Sequence, residues 1–498
     1  MKKGILILLL SFLLIIPYIS NIANVSAQES KKQLFIISPH WEGIRKEYGE
    51  AFAKWYKTRY GEEVEVVWTG LGTSDCVASI EDWYSKHTEG KWDIMWGGGV
   101  DPFLKLKKEG LLESFNPNED PEFKAILEKV PKDFAGIPMY DTEDYTWFGT
   151  ALSGFGIIYN KKVLKQLNFP VPKTWEDLTN EKIIGWVSSA DPRHSGSTHM
   201  AYEIILQAYG WEKGWTIITM LGANVKDFPQ HSSTVPSRVA AGEAAYGLAI
   251  DFYAWAQIAK VGEENIGYVM PEGLTVINPD SIAILKNPPH KDLAKVFIKF
   301  VLSEEGQKLW MLPAGKYEDG PKQYTLGRMC VVPELYSKLK DRTIVPVNPF
   351  EIKSVLSYNS TKGGDRWSVV NDMFGALIID THEELVNAWK KIIENKKKLP
   401  SDVLDKIMAE FTKVPVDEKT ALQYATKWSD QTFRNQKISE WRTFAIEKYK
   451  KTISMIDEAI ASIEAQKRQQ QLMTIVATVL IIVIIIVGVF FYMKKKKT

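Results

Sequence analysis

Cysteine is scarce in this chain: Cys76 and Cys330 are the two among 498 residues. That number and spacing exclude a cysteine-based metal centre. A disulfide between them is permitted only by an exported location, and nothing local aligns the pair. Histidine is sparse too, at seven, so metal-centred and thiol chemistry have little material. Charge of either sign is not in excess, since 62 basic and 61 acidic residues leave a formal +1. The basic surplus of a nucleic-acid binder is therefore missing, as is an acidic tail. A nucleophile elbow, an HExxH helix, a Walker loop and a GxGxxG fingerprint are all absent. These absences count against an enzyme and imply no cofactor. Internal repeats and low-complexity segments are missing as well.

Long apolar runs are confined to the two ends. Lys2 and Lys3 precede an apolar stretch from Ile5 to Ile16, and Val25-Ser26-Ala27 supplies small residues at cleavage spacing. This pattern predicts a signal peptide over residues 1–27. No cysteine follows it, which excludes lipid attachment there. At the other end, residues 472–493 carry no charge and are long enough for one membrane-spanning helix. Lys494 to Lys497 follow at once, and the positive-inside tendency places residues 494–498 in the cytoplasm. The expected product is a single-pass, membrane-anchored protein whose body lies outside the cell.

The body alternates strand and helix. Leu34-Phe35-Ile36-Ile37 is a short continuous apolar run, as in a strand covered on both faces. Ile44, Tyr48, Phe52 and Trp55 recur at helical spacing until Gly61. Val64, Val66 and Trp68 alternate as a second strand, and Thr73 or Ser74 is placed to cap the next helix. Further strands are predicted at Trp92 to Trp96, Gly156 to Asn160, Ile183 to Val187 and Ala245 to Ile250. A helix is predicted from Lys291 through Trp310. Such alternation predicts a parallel α/β sheet. The Pro- and Gly-rich stretch from Pro313 to Pro333 reads as a connection between lobes. From Trp367 onward the sequence is helical and charged. Ile446, Tyr449, Ile453, Ile456, Ile460 and Ile463 form a heptad seam. Two readings of that seam stay open, a helix laid on the body and a dimeric stalk over 431–471.

In parallel α/β sheets ligands sit at the carboxyl ends of strands, where helix N-termini suit anions. Five such loops are rich in glycine or hydroxyl residues. They are Ser38-Pro39-His40-Trp41, Gly70 to Ser74, Gly97-Gly98-Gly99, Ser195-Gly196-Ser197-Thr198 and Ser232-Ser233-Thr234. Singly each is explained by helix capping or a turn. Together, divided between two candidate lobes, they predict a binding cleft. Asp251 is expected either to accept from a ligand amine or hydroxyl or to cap a helix. Trp41, Phe252 and Tyr253 are expected to stack on an apolar part of the ligand, with core packing as the other reading of Trp41.

The order of segments resembles the extracellular solute-binding proteins of ABC importers, in the branch that includes ferric-ion binders. The resemblance rests on Gly70 to Ser74, Asp93 to Gly99, Lys108 to Leu112, Ile157 to Asn160, Pro172 to Leu178, Val239 to Leu248 and Leu302 to Gly306. It implies a two-lobed periplasmic-binding-protein clamshell of type II, with a helical C-terminal extension and one transmembrane helix. The lobes would comprise residues 31–150 with 282–320, and 151–281 with 330–430. The chain would cross between them near Thr150 to Tyr159 and Leu274 to Ile284. ABC permease subunits are the implied protein partners, and a small solute the implied ligand.

The same resemblance divides two ligand classes. Ferric binders of the branch use a histidine, a glutamate and an adjacent tyrosine pair. Here His40 stands at the first position, but the loop Gly97-Gly98-Gly99 has no carboxylate until Asp101, and Phe252-Tyr253 lacks one phenol. Ferric iron wants several anionic oxygens. The hydroxyl loops survive better. The favoured reading is a small organic anion, phosphorylated or phosphonate-like, with ferric iron as the alternative and a sensory or adhesive surface protein as the alternative of another class.

Overall fold

The computed structural model describes residues 31–134, 136–352 and 356–496. The predicted signal peptide and the last two residues of the predicted cytoplasmic tail lie outside them. Strand β1 (Lys32–Ser38) buries Leu34, Ile36 and Ile37 completely. Helix α1 (Glu42–Tyr60) lays Ile44, Tyr48, Phe52 and Tyr56 on the sheet and stops at Gly61. Gly61 takes φ of +75° and donates its N–H to the Lys57 carbonyl, the left-handed ending that glycine permits without strain. Strand β2 (Val64–Gly70) runs parallel to β1, with Lys32 opposite Val64.

Helix α2 (Thr73–Tyr84) starts one residue earlier than expected. Its N-cap is Gly72, not Thr73 or Ser74. Only glycine fits at that cap, since a Cβ on Gly72 would lie 1.9 Å from the His194 carbonyl oxygen. Strand β3 (Ile94–Trp96) then leads through the three glycines into α3 (Asp101–Lys108). The long β4 (Phe148–Asn160) follows, then β5 (Val187–Ser188), α4 (Gly196–Tyr209), β6 (Val225–Asp227), α5 (Thr234–Ala241), β7 (Tyr246–Ile250), α6 (Asp251–Val261) and β8 (Ile277–Leu285).

The strand order is β2-β1-β3-β8-β4-β7-β5-β6. This is a mixed α/β sheet, not the parallel one expected. Parallel pairing holds at each end, β1 with β2 and β3, and β5 with β6 and β7. In the middle, β8 runs antiparallel to both β3 and β4, and β4 antiparallel to β7. The start of β4 pairs with β8, and its end, Phe155 to Tyr159, pairs with β7.

Several local expectations need correction. Glu181–Ile183 is a 3-10 turn and Gly185 has φ of +74°, so the strand expected at Ile183 begins only at Val187. The helix from Lys291 ends at Leu302, and a second, Glu304–Met311, is capped by the Ser303 hydroxyl accepting from Gly306 N–H. The stretch Pro313 to Pro333 does not cross between halves. The Glu47 carboxylate on α1 accepts from the backbone N–H groups of Lys322, Gln323 and Tyr324 and pins it there. Cys330, Leu335, Leu339 and Val345 then pack with Tyr48, Phe52 and Trp310. Residues up to Val345 thus share the core of the first half, and the expected start of the second half's last segment at 330 is too early. Cys76 and Cys330 are free, buried in separate clusters.

The C-terminal region is helical: α7 (Ser360–Phe374), α8 (His382–Asn395), α9 (Ser401–Thr412) and the 65-residue α10 (Gln431–Lys495). Along α10, Trp441, Ala445, Tyr449 and Ile456 are buried, with Ile453, Ile460 and Ile463 packed at the edge of the same core. The heptad seam therefore faces the body, so of the two open readings it is the helix laid on the body, not the dimeric stalk over 431–471, that describes it. From Glu464 the helix is exposed, and its apolar last part is one candidate membrane span.

Candidate ligand-binding cleft

A cavity of about 350 Å³ opens where the carboxyl ends of β1, β2 and β3 face the N-terminus of α4. Its lining includes His40, Trp41, Thr73, Gly98 and Gly99 from the first half, and Ser195, Gly196, Ser197, Ser232, Ser233, Phe252 and Tyr253 from the second. All were singled out by the sequence. Ser74, Thr198, Thr234 and Asp251 were too, but none lies on the wall. Ser74 Oγ accepts from Trp367 Nε1–H at 3.2 Å and from Asn371 Nδ2 at 3.4 Å. Thr198 is buried, its hydroxyl bonded to Ser195 Oγ at 3.0 Å. Thr234 begins α5. Asp251 is fully buried and accepts from Gly154 N–H at 2.7 Å and Phe252 N–H at 2.6 Å; it is the first residue of α6, whose N-cap is Ile250, so it neither lines the cavity nor caps the helix. Burial pushes its carboxyl up to about 7, against those two N–H groups and Arg328.

The three glycines explain the shape of the first wall. Gly97, Gly98 and Gly99 all take positive φ, from +90° to +108°. A Cβ on Gly98 would lie 2.4 Å from Thr73 Cγ2, and one on Gly97 2.9 Å from His40 Nε2. No side chain fits there, so the loop presents N–H groups instead of a carboxylate. Those groups are taken up by Asp280 on β8, which accepts from Gly98 N–H at 2.7 Å and from Gly99 N–H at 3.4 Å.

Asp280 is also the hub of a buried charge cluster. His40 Nε2 lies 2.6 Å from its other oxygen, and Arg328 Nη1 donates to that oxygen too. Arg328 Nη2 reaches Ser153 Oγ on β4 at 2.7 Å. Its guanidinium sits 4.5 Å from the Phe252 ring centre and 5.0 Å from that of Trp310. Burial alone would raise the Asp280 carboxyl; Arg328 and His40 instead hold it well below the usual carboxylate range. Burial lowers the His40 imidazole from its ordinary value, with Asp280 opposing. The other acid on the wall, Asp101, is driven well up by burial and bonded to the Tyr358 hydroxyl.

Positive potential is concentrated elsewhere on the wall. Arg45, one turn into α1, lines the cavity. Among the described residues it has no ion pair, and its Nε is buried without a hydrogen-bond partner. Trp41 Nε1 is likewise buried and unpartnered. The N-termini of α2 and α4 meet across the cleft so closely that a Cβ on Gly196 would touch Thr73 Oγ1 at 2.5 Å. His194 Nδ1 on one side lies 3.2 Å from Asp75 on the other, which ties the two halves together. Sequence reading missed Arg45, Asn278, Asp280, Arg328, His194, His231 and Trp367, which the fold brings to the wall. Only Arg45 was within reach of local pattern, as the first cation after the His40-Trp41 loop.

Comparison with known proteins places this arrangement. Residues 91–315 match the model of a bacterial extracellular solute-binding protein family. The phosphoglycerate transport regulatory protein PgtC of Salmonella typhimurium is 25% identical over 318 residues, 63% of this chain and 74% of that one. The iron uptake protein A1 of Synechocystis is 25% identical over 240 residues, 44% of this chain and 64% of that one. The periplasmic binding protein AfuA of Actinobacillus pleuropneumoniae, solved with exogenous fructose-6-phosphate bound, superposes with a TM-score of 0.54 at 22% identity. That superposition covers 72% of this chain and 98% of AfuA, and it gives the fold a type II periplasmic-binding-protein likeness.

Proposed function

We propose that this chain, whose residues 91–315 match a family of bacterial extracellular solute-binding proteins, is the solute-binding component of an ABC importer, and that its cleft captures a small organic anion carrying a phosphate-like group. The observation that carries this reading is Arg45, a cavity-lining cation with no acidic partner among the described residues and a buried, unpartnered Nε. A buried donor left unsatisfied costs about 1–3 kcal/mol, and an incoming anion removes that cost. The N-termini of α2 and α4 add free N–H groups and partial positive charge at the same place. Ser195, Ser197, Ser232 and Ser233 offer hydroxyls, while Trp41, Phe252 and Tyr253 give the carbon skeleton apolar faces.

Ferric iron fits the wall poorly. His40 is committed to Asp280, Asp280 is neutralised by Arg328, and Asp101 is buried and accepts from the Tyr358 hydroxyl. Tyr253 is then the one phenol of the expected pair, and burial raises it above its ordinary value. In the same proposal, residues 472–493 of α10 anchor the receptor in the membrane with the body outside the cell, and permease subunits receive the solute. Mass spectrometry of small molecules carried through native purification tests the ligand class. A phosphate ester or phosphonate supports it, and bound ferric iron refutes it.

A further inference from the structure

The proposed anchor leads to a second surface, and the inference below rests on it. α10 is one unbroken helix from the receptor body into the candidate span. Its contacts fix which end of the body faces the membrane. Lys391 on α8 pairs with Asp457 at 2.7 Å, after Arg442 has paired with Asp380 just before that helix. α8 thus runs alongside α10 in the same direction. Lys451 pairs with Glu410 at 2.9 Å, and Lys448 Nζ donates to the Lys413 carbonyl at 2.9 Å, so α9 runs back the opposite way. The turn joining α8 to α9, residues 396–400, therefore lies level with residues 461–464 of α10.

From Ile463 to Leu472 is nine residues, about 13 Å of helix. The headgroup layer fills roughly 5–8 Å of that, leaving a gap of about one Debye length, which a lysine side chain bridges. This turn reads Lys396-Lys397-Lys398. Lys396 pairs with Glu181, which brings Lys182 to the same end. The acids Asp402, Asp457 and Glu464 are engaged by Lys406, Lys391 and Arg468. Among the described residues this leaves Lys182, Lys397, Lys398 and Lys467 without an acidic partner, against Glu394, Asp405 and Glu458.

We propose that the α8–α9 turn, with Lys182 and Lys467, docks on anionic phospholipid headgroups of the bilayer that holds α10. The contact sets the tilt of the receptor over the membrane and so the direction in which its cleft is presented. Because α10 is packed on the body to Ile463, the receptor is not on a loose tether, and a contact at this turn acts on the whole body.

The test reconstitutes the full chain into vesicles of phosphatidylcholine alone or with phosphatidylglycerol, and measures acylation rates of individual lysines by a water-soluble reagent. Lys397 and Lys398 are expected to react about fivefold more slowly in the phosphatidylglycerol vesicles, the factor that about 1 kcal/mol per lysine corresponds to. High salt should remove the difference, and Lys340, exposed on the first half, should react equally in both. Equal rates at Lys397 and Lys398 in the two vesicles would overturn the proposal while leaving the anchor intact. Failure of the chain to float with either vesicle would overturn the anchor, and the proposal with it.

Discussion

Lys448 is the most telling residue of the C-terminal extension. It is 2% exposed on α10, donates to the Lys413 carbonyl and has no carboxylate in direct contact among the described residues. Burial lowers its amine from 10.5 to about 7, with Glu410 opposing. A lowered lysine is protonated less readily in the folded chain than in the unfolded one, so stability rises with pH between about 7 and 10.5 and is flat below that window. At pH 7 the shift corresponds to roughly 4 kcal/mol, at about 1.36 kcal/mol for each unit of pKa. Lys448→Met removes that cost and leaves the Lys413 carbonyl unpaired, which takes back about 1–2 kcal/mol. The substituted chain should therefore be about 2–3 kcal/mol more stable at pH 7, and the gain should vanish near pH 10. Denaturant unfolding of both proteins at the two pH values, followed by tryptophan fluorescence, measures this. A destabilised Lys448→Met at pH 7, or a gain independent of pH, would refute the reasoning that α10 buries this amine on the body.

Three further outcomes follow from the cleft and its surroundings. Arg45→Ala should weaken binding of a phosphate monoester roughly ten- to hundredfold in calorimetry, the worth of one hydrogen bond to a charged group; an unchanged affinity would remove Arg45 from the site. Burial lowers His199 to about 4, so stability should fall as pH drops from 6.5 towards 4. His199→Asn should flatten that acid limb, and an unchanged limb would count against a neutral buried imidazole. Ligand should reduce the radius of gyration in X-ray scattering and raise the melting temperature; a saturating ligand that changes neither would argue against a closing clamshell.

Much of the fold was legible because its signals are local. The apolar run of β1, the helical spacing in α1 and the stop at Gly61 each report on neighbours a few residues away. The crossing strands were harder. β4 and β8 run antiparallel to their neighbours, and a strand's own side chains do not encode its direction. The path of Pro313 to Pro333 was misread for a similar reason, since Glu47, nearly three hundred residues earlier, holds it. In the cleft, glycine and hydroxyl loops were visible as loops, and most of them line the cavity. Asp280 and Arg328 were not visible, because their meaning lies in a pairing that only the closed sheet creates. Asp251 and Thr198 looked available for ligand, yet both spend their hydrogen bonds on nearby protein atoms.

The central claim is an anion-binding cleft, and one titration tests it most directly. The purified chain would be titrated with phosphate monoesters and, separately, with ferric citrate, following heat and visible absorbance together. The account predicts saturable heat with a phosphate monoester, lost in Arg45→Ala, and no visible band with ferric citrate. Phenolate bound to ferric iron absorbs intensely in the visible. A band that forms with ferric citrate and disappears in Tyr253→Phe would contradict the account.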